Sequence, residues 1–445
     1  MKQKIKNNWW IALTFILIFI FLYILGFGRM PGDPISHYGF STALLNGQIP
    51  YRDFNVVTTP LYMFYMSIGL RFFNNFIVFL IEHALLVTIT YYFIYKIYGK
   101  KSILLLPITI FTQFINIIPT YNFMCFAMII IIVYLEEKYP NKDYLIGFFI
   151  ALAILSKHTV GCFMIIPSIL FYYKSRNKLF KRFIGLIIPI LIFIIYLVIN
   201  NSLYQFIDLC FFGLFDFINY NGATKNKLSL ISIIIILLCF ILPIFAIIKD
   251  KKNIKNFYLF FSIVFMIPIF DMNHIWLSFT GAFITIIPYI KSRSFCVFSL
   301  ISSIVFEILA FNTLLNTFPI KFSSGIKHFE YAIVTKNMDN YNKKQFKYFD
   351  KYDNPIFISY DSIKYKISRN KRINYFDVPL NGNFGYNGNK KMINKIKKMH
   401  NQIIIISEPV GEDIFSQYTY EVANYVINNC KKIDENNKIE VYYKK

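Results

Sequence analysis

Charge is scarce in this chain, and acidic charge scarcer still. Asp and Glu number 24 against 47 Lys and Arg in 445 residues, and charged residues make up only 16% of the total. Soluble domains carry about a quarter charged residues, so a polar exterior all round is excluded. Cysteine supplies no framework. Cys125, Cys162, Cys210, Cys239 and Cys296 lie in or beside apolar stretches and Cys430 stands alone in the tail, without metal-ligand spacing or a disulfide pattern. The first apolar stretch, residues 9–28, lacks a small-residue cleavage site and is too long for a secretory h-region, so it reads as a retained span. No internal repeat of transporter type is visible.

What the chain has is one apolar run after another, from residue 9 to about 312, with 56% hydrophobic residues, 50 Phe, 33 Tyr and a mean hydropathy of +0.48. Most runs are long enough to span a bilayer, and the aromatics suit lipid-facing and interfacial positions. The chain therefore reads as a polytopic α-helical membrane protein of the cell membrane. The net charge of +23 does not indicate a nucleic-acid partner, because the lysines lie between apolar runs or in the tail, where topology and anionic lipid account for them.

Basic clusters set the expected threading. Lys2, Lys4 and Lys6 place the N-terminus in the cytoplasm and the island 29–60 outside. Residues 61–73 lie along the outer face, 76–98 cross, and the pairs 102–118/121–135, 144–156/160–173 and 257–270/275–290 form hairpins with short outer turns. Segments 183–200, 228–248 and 295–312 complete about eleven spans. Residues 1–318 form the membrane domain, and residues 319–445 are expected as a small extracytoplasmic α/β domain, with β-like runs at 355–359, 402–406 and 439–443.

This threading gathers the unusual polar residues on one side: Asp33, His37, Arg52, Asp53, Lys157, His158, Asp271 and His274 are all extracytoplasmic. Ionisable groups beside a bilayer are costly unless they meet water, a partner or a substrate. Each has a plainer reading, since outer turns need polar residues and acids before helices act as caps. Residues 35–45 read as a helix in the outer interface that presents Asp33 at one end. Tyr38, Tyr51 and Tyr62 are stacking platforms or interfacial aromatics. Two function classes fit: a transferase acting on a lipid-borne substrate, and a transporter or flippase of a lipid-linked glycan. The near absence of charge within the spans favours the first.

Gly32-Asp33-Pro34, His37-Tyr38-Gly39, Asn46-Gly47-Gln48-Ile49-Pro50-Tyr51-Arg52-Asp53-Phe54 and Pro60-Leu61-Tyr62 resemble the first outer loop of bacterial GT-C glycosyltransferases, relatives of protein O-mannosyltransferases and lipid A aminoarabinose transferases. Ser156-Lys157-His158-Thr159-Val160-Gly161 is similar to that family's Lys-Gln-Thr-x-Gly turn, with His for Gln, and Asp271-x-x-His274 resembles a late outer turn. The resemblance implies inverting sugar transfer from a polyprenyl-phosphate carrier to a hydroxyl on a protein, lipid or cell-wall polymer. Asp33 would be the general base. Arg52 and Lys157 would face the phosphate, with His37, Tyr38, His158, Asp271 and His274 on phosphate or sugar, or supporting those that are. Asp53 is a second acid or a loop-shaping residue. Asp33 is followed by Pro34 rather than by a second acid, which argues against a divalent metal there, and no cofactor is otherwise indicated.

Overall fold

The computed structural model describes residues 9–28, 32–111, 117–216, 230–267, 272–290, 345–358, 362–377, 383–407, 420–436 and 439–445. The expected last span, 295–312, lies outside these residues. The membrane part begins with α1 (Trp9–Gly28), α2 (Gly32–Leu45), α3 (Leu61–Leu70) and α4 (Phe76–Tyr98). It continues with α5 (Leu105–Phe111), α6 (Tyr121–Lys138), α7 (Asp143–Ser156), the single turn α8 (His158–Gly161) and α9 (Ile165–Tyr172). Then come α10 (Arg176–Ile199), α11 (Leu203–Ile207), α12 (Leu230–Lys249), α13 (Ile254–Phe260) and α14 (Met272–Ile286).

Residues 76–104, 176–199 and 232–249 are helices long and apolar enough to cross a membrane, and shorter apolar helices include α3, α7 and residues 158–172. Burial separates the helices by role. Almost every side chain of α6 from Asn122 to Val133 is buried, so this helix forms the centre of the bundle. By contrast α10 and α12 expose rows of Ile, Leu and Phe, among them Ile192 and Ile195, which is the pattern of a lipid-facing helix.

Local chemistry fixes the boundaries that matter for the site. The Asn75 side chain caps α4 by accepting from the Val78 N–H at 3.0 Å, and Thr120 caps α6 through the Phe123 N–H at 3.4 Å. At the end of α2 the chain turns at Asn46-Gly47, with Gly47 at φ +75°, a conformation that glycine adopts without steric cost.

The described residues from 345 onwards form an α/β unit with a four-stranded sheet in the order β1-β2-β4-β3. Here β1 is Ile356–Ile358, β2 Gln402–Ser407, β3 Lys431–Asn436 and β4 Ile439–Lys444. The β1/β2 pair is parallel, with Ile356 opposite Ile404, and the other two pairs are antiparallel. Three strands coincide with the β-like runs of the sequence. The polar edge strand β3 does not, because it buries almost nothing and so lacks an apolar alternation. The helices α15 (Ser362–Ser368), α16 (Gly388–Lys397) and α17 (Tyr420–Asn429) accompany the sheet.

This unit is clasped to the first outer loop. One apolar cluster joins Ile35, Phe40 and Phe54 of the loop with Phe206 and Leu209 and with Ile363 and Ile373 of the tail. A Cβ on Gly39 would sit 3.0 Å from the Ile367 side chain, so α2 and α15 pack with little space between them. Lys391 adds an ion pair to Asp208 at 2.5 Å.

Candidate active site

The Ser156–Gly161 motif is a break at which the chain folds back on itself. Helix α7 ends at Ser156, Lys157 takes extended backbone (φ −150°, ψ 98°), and α8 starts at His158. The Lys157 carbonyl accepts from the N–H groups of Val160 at 3.1 Å and Gly161 at 2.8 Å. Gly161 lies against the backbone of α7, where a Cβ would be 2.3 Å from the Ile154 nitrogen. That contact is the physical reason for a glycine here. The first loop is tied to the same turn, since the Thr59 hydroxyl donates to the Ile154 carbonyl at 2.8 Å.

The break turns the Lys157 side chain inward, where it is only 5% exposed. Its Nζ donates to Asn122 Oδ1 at 2.8 Å and lies over the rings of Tyr121 and Phe265, 5.7 and 5.4 Å from their centroids. Because an ammonium only donates, the Asn122 amide oxygen faces it, and Asn122 Nδ2 is left to donate to His274 Nε2 at 3.3 Å. That bond puts the His274 proton on Nδ1. Lys157, Asn122 and His274 therefore converge from the α7–α8 break, the start of α6 and the first turn of α14.

Helix α2 approaches from the other side. Asp33 is exposed in its first turn, where a carboxylate suits the helix dipole. One turn on, His37 is buried, with its ring edge-on to Tyr62 and to Tyr121 at 5.2 Å from each. Burial, and then the neighbouring His83, lower its pKa to about 3, so the imidazole is neutral. Its Nδ1 makes no hydrogen bond among the described residues. Behind it, Tyr62 Oη donates to His83 Nδ1 at 3.1 Å while His83 Nε2 donates to the Ile117 carbonyl at 2.9 Å. The Tyr121 ring touches both His37 and Lys157, which links the two sides.

Other expected residues go elsewhere. Tyr38 points away, with its hydroxyl 3.2 Å from Asn74 Oδ1 and its ring edge-on to Phe76 and Phe79. Arg52, expected at the phosphate, forks instead to the Asp53 carboxylate at 2.9 and 3.1 Å. Asp53 also accepts the Ile49 N–H at 2.8 Å, and these contacts, Arg52 first, hold its carboxyl below the usual range. The pair faces the tail, where Tyr375 donates its hydroxyl to the carbonyls of Tyr51 and Arg52. Both residues are thus bonded within the loop, beside its contact with Tyr375. His158 is buried against Phe211 (5.1 Å) and the backbone at Cys210. Asp271 lies outside the described residues. Among the described residues no three His, Cys, Asp or Glu side chains are grouped as metal ligands.

Two residues of the cluster, Tyr121 and Asn122, carry no separate signal in the sequence, where Pro119-Thr120-Tyr121-Asn122 reads as an outer hairpin turn. The available cue was polar: Asn122 opens a helix that is then without a charged residue as far as Leu135, and whose cap, Thr120, already satisfies the turn.

No family model matches the chain, and no curated protein matches it by sequence. Its fold is similar to that of ArnT from Cupriavidus metallidurans, in a crystal structure bound to undecaprenyl phosphate and in another in the apo state. Each comparison gives a TM-score of 0.55 at 10% identity, over 98% of both chains. The chain thus shares its fold with ArnT over nearly its whole length, in keeping with the resemblance of its first loop.

Proposed function

We propose that this protein transfers a sugar from a polyprenyl-phosphate carrier to an acceptor hydroxyl, with inversion at the anomeric carbon. The observation that carries the reading is Lys157, a buried cation set at a helix break beside the first outer loop, in a fold shared with a protein solved with undecaprenyl phosphate bound. In such a low-dielectric site a cation acts strongly on an anion brought close to it. Lys157 faces the donor phosphate and neutralises the charge that develops as the sugar leaves. Asp33, exposed at the start of α2, takes the proton of the attacking hydroxyl. His37 Nδ1 and the Thr159 hydroxyl, buried without a hydrogen-bond partner among the described residues, suit polar contacts to sugar or phosphate. A buried polar group left unmet costs about 1–3 kcal/mol, which a bound substrate would relieve.

The test is sugar transfer by the purified protein supplied with polyprenyl-phosphate sugars, comparing wild type with Asp33→Asn. Loss of roughly 10²-fold or more in turnover, with donor binding retained, is expected for removal of a general base. Full turnover by Asp33→Asn would remove Asp33 from that role. Movement of labelled glycolipid across a bilayer without transfer would replace the whole reading with transport.

A further inference from the structure

Helices α9 and α10 are joined by a short turn and diverge from it. The reason lies in how α10 is held. Arg182 donates from Nε to Asp143 at 2.8 Å and from a terminal nitrogen to Glu136 at 2.6 Å and to the Ser168 hydroxyl at 3.1 Å. Gly147 and Gly185 let the backbones of α7 and α10 meet closely, since a Cβ at either would lie within about 2 Å of the opposing carbonyl oxygen. Helix α10 is drawn onto α7 and tied to α9 at Ser168, and a groove of about 660 Å³ remains between α9 and α10. Its walls are mostly apolar, formed by Ile150, Ile165, Ile169, Phe180, Phe183 and Leu186; Ser168 and Arg182 also line it but are bonded to each other, while Arg176 and Asn177 stand at the end near the turn.

We infer that this groove holds an acyl chain of an anionic phospholipid, with the phosphate on Arg176 and Asn177. The volume lies within the ~300–1,000 Å³ of ordinary ligand pockets. The walls exclude a hydrated ligand, and the groove opens beside α10, whose exposed apolar residues mark the lipid-facing surface. Charge decides the headgroup. Residues 174–182 carry Lys174, Arg176, Lys178, Lys181 and Arg182 and no acid. The nearby acids are already engaged: Glu136 and Asp143 with Arg182, and Glu137 with Lys255. Arg176 makes no ion pair among the described residues, and a guanidinium suits a forked contact to a phosphate. A neutral headgroup would leave this excess of cations uncompensated. The site is separate from the Lys157 cluster and does not depend on the proposed transfer reaction.

The test uses the full chain in lipid nanodiscs, with Phe180→Trp as a fluorescent reporter in the groove and phospholipids brominated on the acyl chain as quenchers. Phe183→Trp serves as a second reporter, and the wild-type signal from Trp9, Trp10 and Trp276 is subtracted. Brominated phosphatidylglycerol should reach half-quenching at a mole fraction about five-fold lower than brominated phosphatidylcholine, the effect of about one cation near the membrane surface. Arg176→Gln should bring the two lipids to within about two-fold of each other. Equal quenching by both lipids in the unaltered background overturns the proposal. So does displacement of the brominated lipid by polyprenyl phosphate with no effect of Arg176→Gln, which would make the groove a path for the tail of that lipid.

Discussion

Gln48 and Ile373 are 325 positions apart and share two hydrogen bonds: the Gln48 amide donates to the Ile373 carbonyl at 2.8 Å and accepts its N–H at 3.2 Å. The side chain thus acts as a strand-like partner for a buried backbone unit of the tail, and it fixes the first outer loop against that tail. Gln48→Leu leaves both backbone groups without a partner. The expected loss is about 1–3 kcal/mol, the cost of one or two unmet buried polar groups, read as a lowered thermal midpoint in detergent. An unchanged midpoint would mean the two parts do not unfold together.

The Lys157–Asn122 bond gives a sharper functional expectation. Lys157→Met should cut sugar transfer by about 10²–10³-fold, the usual cost of removing a preorganised electrostatic contact to the reacting group. Asn122→Leu keeps the cation but frees its direction, so its effect should be smaller and divided between KM and kcat. Steady-state kinetics with a polyprenyl-phosphate sugar separate the two. Equal loss in both variants would make the cluster structural.

Gly161→Ala puts a methyl group 2.3 Å from the Ile154 nitrogen, where backbone rather than a flexible side chain must yield. Overpacking of this kind costs about 1–3 kcal/mol or more. Lower yield of folded protein and a reduced thermal midpoint are expected. The test fails for the geometry described if Gly161→Ala is as stable as wild type.

His37 supplies the pH dependence. Its pKa is lowered from 6.5 to about 3 by burial, so between these values the unfolded chain binds more protons than the folded one. The stability this group contributes is complete above about pH 6.5 and falls as the pH drops towards 3, by at most ~1.4 kcal/mol per pH unit. His37→Phe should flatten the acid side of the stability profile, measured by thermal unfolding from pH 7 to pH 4. A slope as steep as wild type would show that His37 is not buried neutral.

Asp53 shows what the sequence could and could not settle. Its type and position read as a second acid or a loop-shaping residue, and those alternatives look identical in sequence because both need an acid in a turn. The tertiary structure adds the contacts its carboxylate makes, the fork from Arg52 and the bond from the Ile49 N–H. Arg52 is ambiguous in sequence for the same reason: a charge beside a membrane announces that it needs a partner and does not say which one.

The sequence alone determined that this is a helical membrane protein, because long apolar runs interrupted by basic clusters leave few other ways to satisfy a backbone in lipid. It also marked the first loop and the Lys157 turn, where Gly161 is required by a contact seven residues back in the same chain. Tertiary structure alone decided that Lys157 meets Asn122 and Asn122 meets His274, that His37 faces Tyr121, and that the tail grips the loop through Gln48. Those contacts join residues 35 to 325 positions apart, and no local pattern of residues encodes which distant partner a buried polar group will find.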